Sequence, residues 1–490
     1  MSISDLIVRD GDSLRATLAV LDRPGPAIAI AVDGAGRYLG LVDAASIEGA
    51  IASGHDLDAK VTAAIRPNGA LPATTEPEAL TRHLEVGPGL IPLLDAEQRP
   101  IDYASPSRTQ RIPVAEPSLS GNELKYVTEC VTTGWISSQG AFVRRFEAEI
   151  GQRVGVPAEQ VLAVSNGTVA LHLALVALGI GSGDEVIVPD LTFAATINTV
   201  LQAGATPVVV DVDRISLNID PAAVAAAITS RTKAIMPVHL YGQPAEMDAL
   251  LALATRHKLL IIEDAAEAMG SAYKGNPCGA IGDAGTFSFF SNKLITTGEG
   301  GAIVFRDPRA AQRARMLRDH GMDPKKRYWH LELGFNYRLT NMQAALGCAQ
   351  MEQLDRFLAR KIEIAQQYGK VLGAVEGVAL PASLPGLLNS YWAYSVVIDF
   401  SQLGISRDEL AVRLDRAGIE TRPLFYPLHE MPPYKAYVGN RAYPVTTALS
   451  SGGLSLPSAV TLTAAETGYI GGVIARQIRA RRLARRAGIA

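Results

Sequence analysis

The chain has 490 residues, 48% hydrophobic and 19% charged, with a formal net charge of −3. That length holds roughly two to four domains and the apolar content can fill a large core, while the small net charge gives no general attraction to nucleic acid or an anionic membrane. Cys130, Cys278 and Cys348 are too far apart for a disulfide framework or a metal-ligand spacing, so no metal is expected and a reduced, cytoplasmic setting is. The opening Met1-Ser-Ile-Ser-Asp5 lacks the basic-then-apolar order of a secretory leader, and no apolar run approaches the roughly 20 residues that cross a bilayer.

Residues 27–42 read as a hairpin turning at 33–37, preceded by a helix-like stretch at 13–21 and followed by another at 44–53. Residues 89–103 offer the same strand, Asp-x-x-x-Arg turn and strand. Aligning Arg37 with Arg99 sets a period of 62 residues, and 76–84 is the counterpart of the helix at 13–21. This is an internal repeat. Residues 1–104 resemble a tandem pair of CBS modules, an α+β fold that in many proteins binds adenine nucleotides or mediates assembly. The resemblance implies a structural or regulatory appendage, with a nucleotide as its candidate ligand. Residues 105–111, polar and proline-containing, read as a linker.

From residue 112 the pattern becomes βαβ. Apolar strand-like runs at 160–164, 185–188, 207–212, 234–238 and 259–262 alternate with helical segments such as 168–178 and 221–229. Strands apolar throughout and separated by helices predict a mainly parallel sheet covered on both faces, here a large domain over 112–355. Residues 341–372 read as one long helix leading into a smaller α+β domain over 356–490, with a strand at 393–398 and helices at 407–417 and 464–482. Arg476, Arg479, Arg481, Arg482, Arg485 and Arg486 near the end are expected on the solvated face of the last helix.

Open α/β sheets present ligands at strand ends, and four such places carry polar groups that make sense together. Ser165-Asn-Gly-Thr168 joins a strand to a helix and offers N–H groups and hydroxyls to a phosphate at the positive helix end. Phe193, in Pro189-Asp-Leu-Thr-Phe-Ala-Ala-Thr196, can stack on a flat ring. Asp264, in Leu259-Leu-Ile-Ile-Glu-Asp-Ala-Ala-Glu267, suits a protonated ring nitrogen. Lys293 sits where two strand-like runs meet a glycine-rich loop, flanked by Ser288, Ser291 and Asn292, and a lysine of lowered pKa can form a Schiff base with an aldehyde. Alone, each has an ordinary reading: helix cap, core aromatic, N-cap acid, surface lysine. Jointly they specify a pyridoxal 5'-phosphate site.

Gly167-Thr168, Phe193, Asp264 with Glu267, Ser288 five residues before Lys293, and Gly334-Phe-Asn-Tyr-Arg-Leu-Thr-Asn-Met-Gln-Ala-Ala345 resemble, in order and spacing, the DegT/DnrJ/EryC1/StrS aminotransferases over about three quarters of the chain. The resemblance implies an α/β aminotransferase of fold type I, with Lys293 as imine lysine and proton shuttle and Asp264 as partner of the pyridine nitrogen. Gly167, Thr168 and Ser288 would hold the phosphate, Phe193 would stack on the ring, and Glu267 would lie near the phenolic oxygen, where many relatives carry Gln or His. Asn336 would reach the cofactor of a neighbouring subunit, making a homodimer the catalytic unit.

Relatives that remove a hydroxyl carry histidine at the imine position. Lys293 therefore favours transamination, with glutamate as donor and a nucleotide-diphosphate keto sugar as acceptor. Segments 134–140, 237–243, 321–329 and 421–433 look most like members that aminate C4 of GDP-4-keto-6-deoxymannose. Ser137, His239, Arg338, Arg422 and His429 are the substrate-side candidates. The alternatives are the same chemistry on a UDP-linked 4-keto-6-deoxy-HexNAc, or a catalytically silent sugar-nucleotide sensor.

Overall fold

The computed structural model describes the chain except residues 1, 68, 77–78, 81–82, 85–88, 107–110, 440 and 490. The helix expected at 76–84 and the linker expected at 105–111 include such positions and lie outside the described residues.

The N-terminal region holds two small sheets of the same design. In the first, β1 (Ile7–Arg9) runs parallel to β2 (Ala29–Val32), which pairs antiparallel with β3 (Tyr38–Val42). In the second, β4 (Leu71–Pro72), β5 (Ile91–Leu94) and β6 (Pro100–Ala104) repeat that order and sense. Strands β2 and β5 begin 62 residues apart, as do β3 and β6. Each hairpin has its register irregularity at the equivalent place, Ala31/Val32 and Leu93/Leu94. The turns match for a chemical reason: the carboxylates of Asp33 and Asp95 accept the N–H of Arg37 and Arg99, each at 2.8 Å. The copies meet where Tyr38 N–H donates to the Gln98 carbonyl at 2.9 Å.

The large domain is built on β7 (Val161–Val164), β8 (Glu185–Pro189), β9 (Thr206–Val210), β10 (Thr232–Ile235) and β11 (Leu260–Asp264). A short hairpin, β12 (Ala272–Tyr273) and β13 (Asn276–Pro277), intervenes before β14 (Ala284–Ser288) and β15 (Gly301–Phe305). The seven-stranded sheet has the order β7-β15-β14-β11-β10-β8-β9. Neighbours are parallel except around β15, which runs against both β14 and β7. Parallel neighbours need a crossover, whereas an antiparallel pair can be joined by a loop, so the β14–β15 connection is a loop at the sheet's carboxyl edge, and Lys293 lies in it.

The small domain carries β16 (Val378–Ala379), β18 (Tyr394–Ile398), β19 (Arg422–Pro423) and β20 (Gly453–Leu456) in the order β16-β18-β20-β19, while β17 (Leu387–Leu388) pairs with β12. Three expectations are corrected here. Residues 112–114 open the expected large domain but pack with the small one: Ile112 N–H donates to Gly418 O at 2.8 Å, and its side chain joins the small-domain core. The single helix expected at 341–372 is two, Asn341–Met351 and Leu354–Leu372. The break is held from outside, because the Glu352 carboxylate takes bonds from Asn122 (2.7 Å), Tyr126 (2.6 Å) and Arg145 (2.7 Å).

The third correction concerns the tail. The terminal helix Ala464–Arg486 is packed on two sides, so its arginines do not form one solvated face. Its Ile470, Val473 and Ile474 enter the small-domain core, and Ala480 and Ala484 enter the N-terminal core beside Leu14, Leu18 and Ile47. Gln477 donates to the Gly25 carbonyl at 2.7 Å, and Arg476 to the Pro26 carbonyl at 2.8 Å. Arg481, buried, pairs with Asp22 at 2.7 Å, and Arg413 also donates to the Asp22 carbonyl. Of the six arginines only Arg485 and Arg486 are exposed. No helix among the described residues is long and apolar enough to cross a membrane.

Removing one partner of a buried pair strands the other charge. Asp22→Ala is accordingly expected to cost about 3 kcal/mol in urea denaturation of the full chain, whereas Arg486→Ala on the exposed end of the same helix should cost almost nothing.

Candidate active site

The carboxyl edge of the large sheet and the facing small domain enclose a cavity of about 500 Å³. Lys293 reaches it because its loop is nailed down on both sides. Phe289 is fully buried edge-on to Phe146, with ring centroids 5.0 Å apart, and Leu294 and Ile295 are buried in the same core. Between these anchors the lysine can only point into the cavity. Its Nζ lies 4.0 Å from the centre of the Trp392 ring and 3.7 Å from Glu267 Oε1. Burial lowers the Lys293 pKa, against the pull of Glu267 and Asp264.

The two acids ending β11 separate by strand alternation. The carboxylate of Glu263 points away from the cavity and is saturated: it meets His239 Nε2 at 2.9 Å and accepts the N–H groups of Gly279 (2.8 Å), Ile281 (2.7 Å) and Gly282 (2.7 Å). Asp264 lines the cavity, accepting the Thr196 hydroxyl at 2.8 Å and Ala266 N–H at 3.2 Å. Burial raises its pKa, partly offset by Thr196, Ala266 and Lys293. A cation on the cavity side would meet a carboxylate already oriented for it. Glu267 accepts Tyr241 N–H at 2.8 Å, and burial lifts its pKa to about 7.

Opposite these acids the helix Gly167–Ala177 aims its N-terminus at Ser288. Asn166 caps it by accepting Val169 N–H at 3.0 Å. Gly167 is required by contact, since a Cβ there would come within 2.8 Å of Ser288 Cβ. The result is a cradle of backbone N–H groups and hydroxyls for an anionic group. Phe193, 58% exposed, stands at the cavity mouth beside Phe425, with ring centroids 5.8 Å apart. Arg422 brings a guanidinium from the small domain. Asn292 also lines the cavity, and its Oδ1 is buried with no hydrogen-bond partner among the described residues. An anion cradle, an exposed ring, a buried carboxylate and a desolvated lysine fit a phosphorylated aromatic aldehyde.

Lys293, Asp264, Glu267, Ser288, Gly167, Thr168, Phe193 and Arg422 thus share one cavity. Of the five other expected site residues, three have structural partners instead and two lie outside the cavity. His239 is fully buried, bonded to Glu263 and accepting Ala245 N–H at 3.0 Å, so no substrate can touch it. His429 stacks on Tyr443 and meets Asp190 at 2.6 Å. Arg338 pairs with Asp319 at 2.5 Å and also donates to Asn336 Oδ1 at 3.0 Å. Asn336 and Ser137 lie exposed outside the cavity of this chain. The sequence reading missed Trp392, Tyr241 and Thr196. Trp392 donates its indole N–H to the Asn292 carbonyl at 2.7 Å, and Tyr241 stacks on it at 6.2 Å. Trp392 lies in no motif, and although Tyr241 falls within 237–243, its positive φ (55°) has no sequence signature.

The chain is similar to known proteins. The DegT/DnrJ/EryC1/StrS aminotransferase family matches residues 117–475. GDP-perosamine synthase from Caulobacter vibrioides is 50% identical over 73% of this chain and 95% of its own. The enzyme of that name from Escherichia coli O157:H7 is 44% identical over 73% and 96%. A structure from Streptococcus pneumoniae in its PLP form superposes with a TM-score of 0.70, at 26% identity over 75% of this chain and 99% of that one. The fold is that of the type I pyridoxal phosphate aminotransferases, and pyridoxal 5'-phosphate is the cofactor. With a helix-end cradle, a strand-end acid and a loop lysine meeting in one cavity, the chain belongs to the DegT/DnrJ/EryC1/StrS aminotransferase family.

Proposed function

We propose that the chain transfers an amino group from glutamate to C4 of a nucleotide-linked 4-keto-6-deoxy sugar, GDP-4-keto-6-deoxymannose, forming GDP-perosamine. The observation that carries the reading is the convergence of Lys293, Asp264, Glu267, Ser288 and Gly167-Thr168 on one cavity. The two relatives named above support the choice of sugar.

Pyridoxal phosphate supplies an aldehyde that can carry nitrogen between donor and acceptor and a ring that takes up electrons from the carbon losing its proton. The residues supply the rest. Gly167, Thr168 and Ser288 hold the phosphate, Phe193 covers the ring, and Asp264 pairs with the ring nitrogen. Lys293, biased by burial toward its neutral amine, has a lone pair for a carbonyl and later for a proton. Glu267, 3.7 Å from that amine, is the nearest carboxylate to exchange the proton with it. Arg422 offers the diphosphate a guanidinium at the mouth.

The same reading makes the working unit a homodimer. Leu124, Trp135 and Leu333 are 81%, 62% and 91% exposed. The loop at Ser137 borders the segment after Asn336, since the Ser137 carbonyl accepts Asn341 N–H at 2.7 Å. Large apolar side chains left in water mark a surface for a second copy. Buried Cys130, Cys278 and Cys348, all free, suit a reducing cytoplasm.

Incubation with glutamate and a panel of GDP-, UDP- and TDP-linked 4-keto sugars, read by mass, should give an amine only on the GDP sugar; amination of a UDP-HexNAc substrate instead would move the assignment. Lys293→Ala should lose the yellow colour of the bound cofactor and all turnover. Asp264→Asn should keep the cofactor and lose about a hundredfold in turnover.

Glu267 supplies a pH test. Its folded pKa is raised, so its contribution to stability is complete below the ordinary 4.5 and is lost as pH rises through about 7. Cofactor-free wild type should therefore lose melting temperature relative to Glu267→Gln, which mimics the protonated form, as pH rises from 4.5 to about 7, and the difference should then level off. For assembly, Leu333→Glu should shift the light-scattering mass toward the monomer.

A further inference from the structure

A second cavity, of about 320 Å³, lies between the two domains, and Tyr241 and Ala393 wall both it and the catalytic cavity. The large domain contributes residues 214–217 with Leu240, Tyr241 and Gln243, and the small domain contributes residues 379–382 with Ala393, Val397 and Leu449. Leu240, Leu380, Val397 and Leu449 make its surface mainly apolar.

One residue of this wall carries a polar group with nothing to bind. Gln243 is 94% buried, and its Nε2 has no hydrogen-bond partner among the described residues. The orientation of the amide is pinned by its neighbours. Asn389 Oδ1 is committed to Tyr391 N–H at 2.6 Å, which leaves Asn389 Nδ2 to donate to Gln243 Oε1 at 2.9 Å. The amino end of Gln243 must therefore be the end left over. Arg214, on the same cavity, is exposed and has no ion-pair partner among the described residues. Water answers only part of this, because one water fills about 30 Å³ and the leucine walls offer it no partners.

We propose that this cavity is a ligand site separate from the catalytic one and takes a small amphipathic carboxylate. The apolar body lies on the leucine walls, the negative charge faces Arg214, and a small turn of the Gln243 side chain brings its free N–H to an oxygen. An occupant would touch elements of both domains and the ring of Tyr241, whose N–H holds Glu267.

Isothermal titration of the full-length holoenzyme with hexanoate tests the assignment. We expect one saturable site per chain, undiminished by excess pyridoxal phosphate. Affinity should fall about tenfold in Arg214→Gln, a loss of one charge-assisted contact, and also in Gln243→Leu. Binding of uncharged hexan-1-ol should be the same in Arg214→Gln as in wild type. Arg214 is exposed, so its substitution leaves the fold intact even if Gln243→Leu does not fold. Absence of saturable hexanoate binding, equal hexanoate affinity in Arg214→Gln and wild type, or displacement by pyridoxal phosphate would each overturn the assignment.

Discussion

An amine held out of water beside two carboxylates is the interaction on which this molecule depends. In solvent a lysine is protonated and inert toward carbonyls, and in an apolar core a lone ammonium is too costly to keep. At Lys293 the two tendencies oppose each other. Burial lowers its pKa while Glu267 and Asp264 pull it back, and the same burial raises both acids. Three groups that would each be fixed in charge in water are thereby shifted toward one another. The Trp392 face, 4.0 Å from the amine, keeps water off without adding a competing acceptor.

Holding these groups together needs rigid supports, and topology provides them. Lys293 and Asp264 come from neighbouring parallel strand ends, because Asp264 on β11 pairs in register with Thr286 on β14, just before the lysine loop. The cradle at Gly167-Thr168 follows β7, which reaches the same edge through β15, where Gly301 pairs with both Ser288 and Val164. A Cβ at Gly301 would come within 2.5 Å of the Asn166 carbonyl, so the glycine lets cradle and lysine loop close on each other. Each functional group is thus no more than a turn away from a buried, hydrogen-bonded strand.

The N-terminal region is tied to this machinery by the terminal helix, one side of which packs in the small domain and the other against the helix Leu14–Leu21. Arginine-rich composition suggested a solvated face there. Composition describes a residue's cost of burial but not whether a partner waits for it, and Asp22 lies hundreds of positions away. The same limit explains His239 and His429. A histidine in a loop motif looks like a ligand until its carboxylate partner, Glu263 or Asp190, is found buried against it.

What local order alone settled was whatever repeats or clusters along the chain. The apolar strand runs, the 62-residue repeat with its Asp-capped turns, and the lysine loop flanked by Ser288 and glycines were all legible, because period and turn chemistry act over a few residues. The tertiary structure decided which groups meet. Trp392 against Lys293 with Tyr241 stacked on it, Thr196 against Asp264, Glu352 breaking a helix, and Gln243 left without an acceptor all arise between segments distant in sequence. Burial and pKa are properties of the enclosing surface, and that surface exists only after the two domains close on one another.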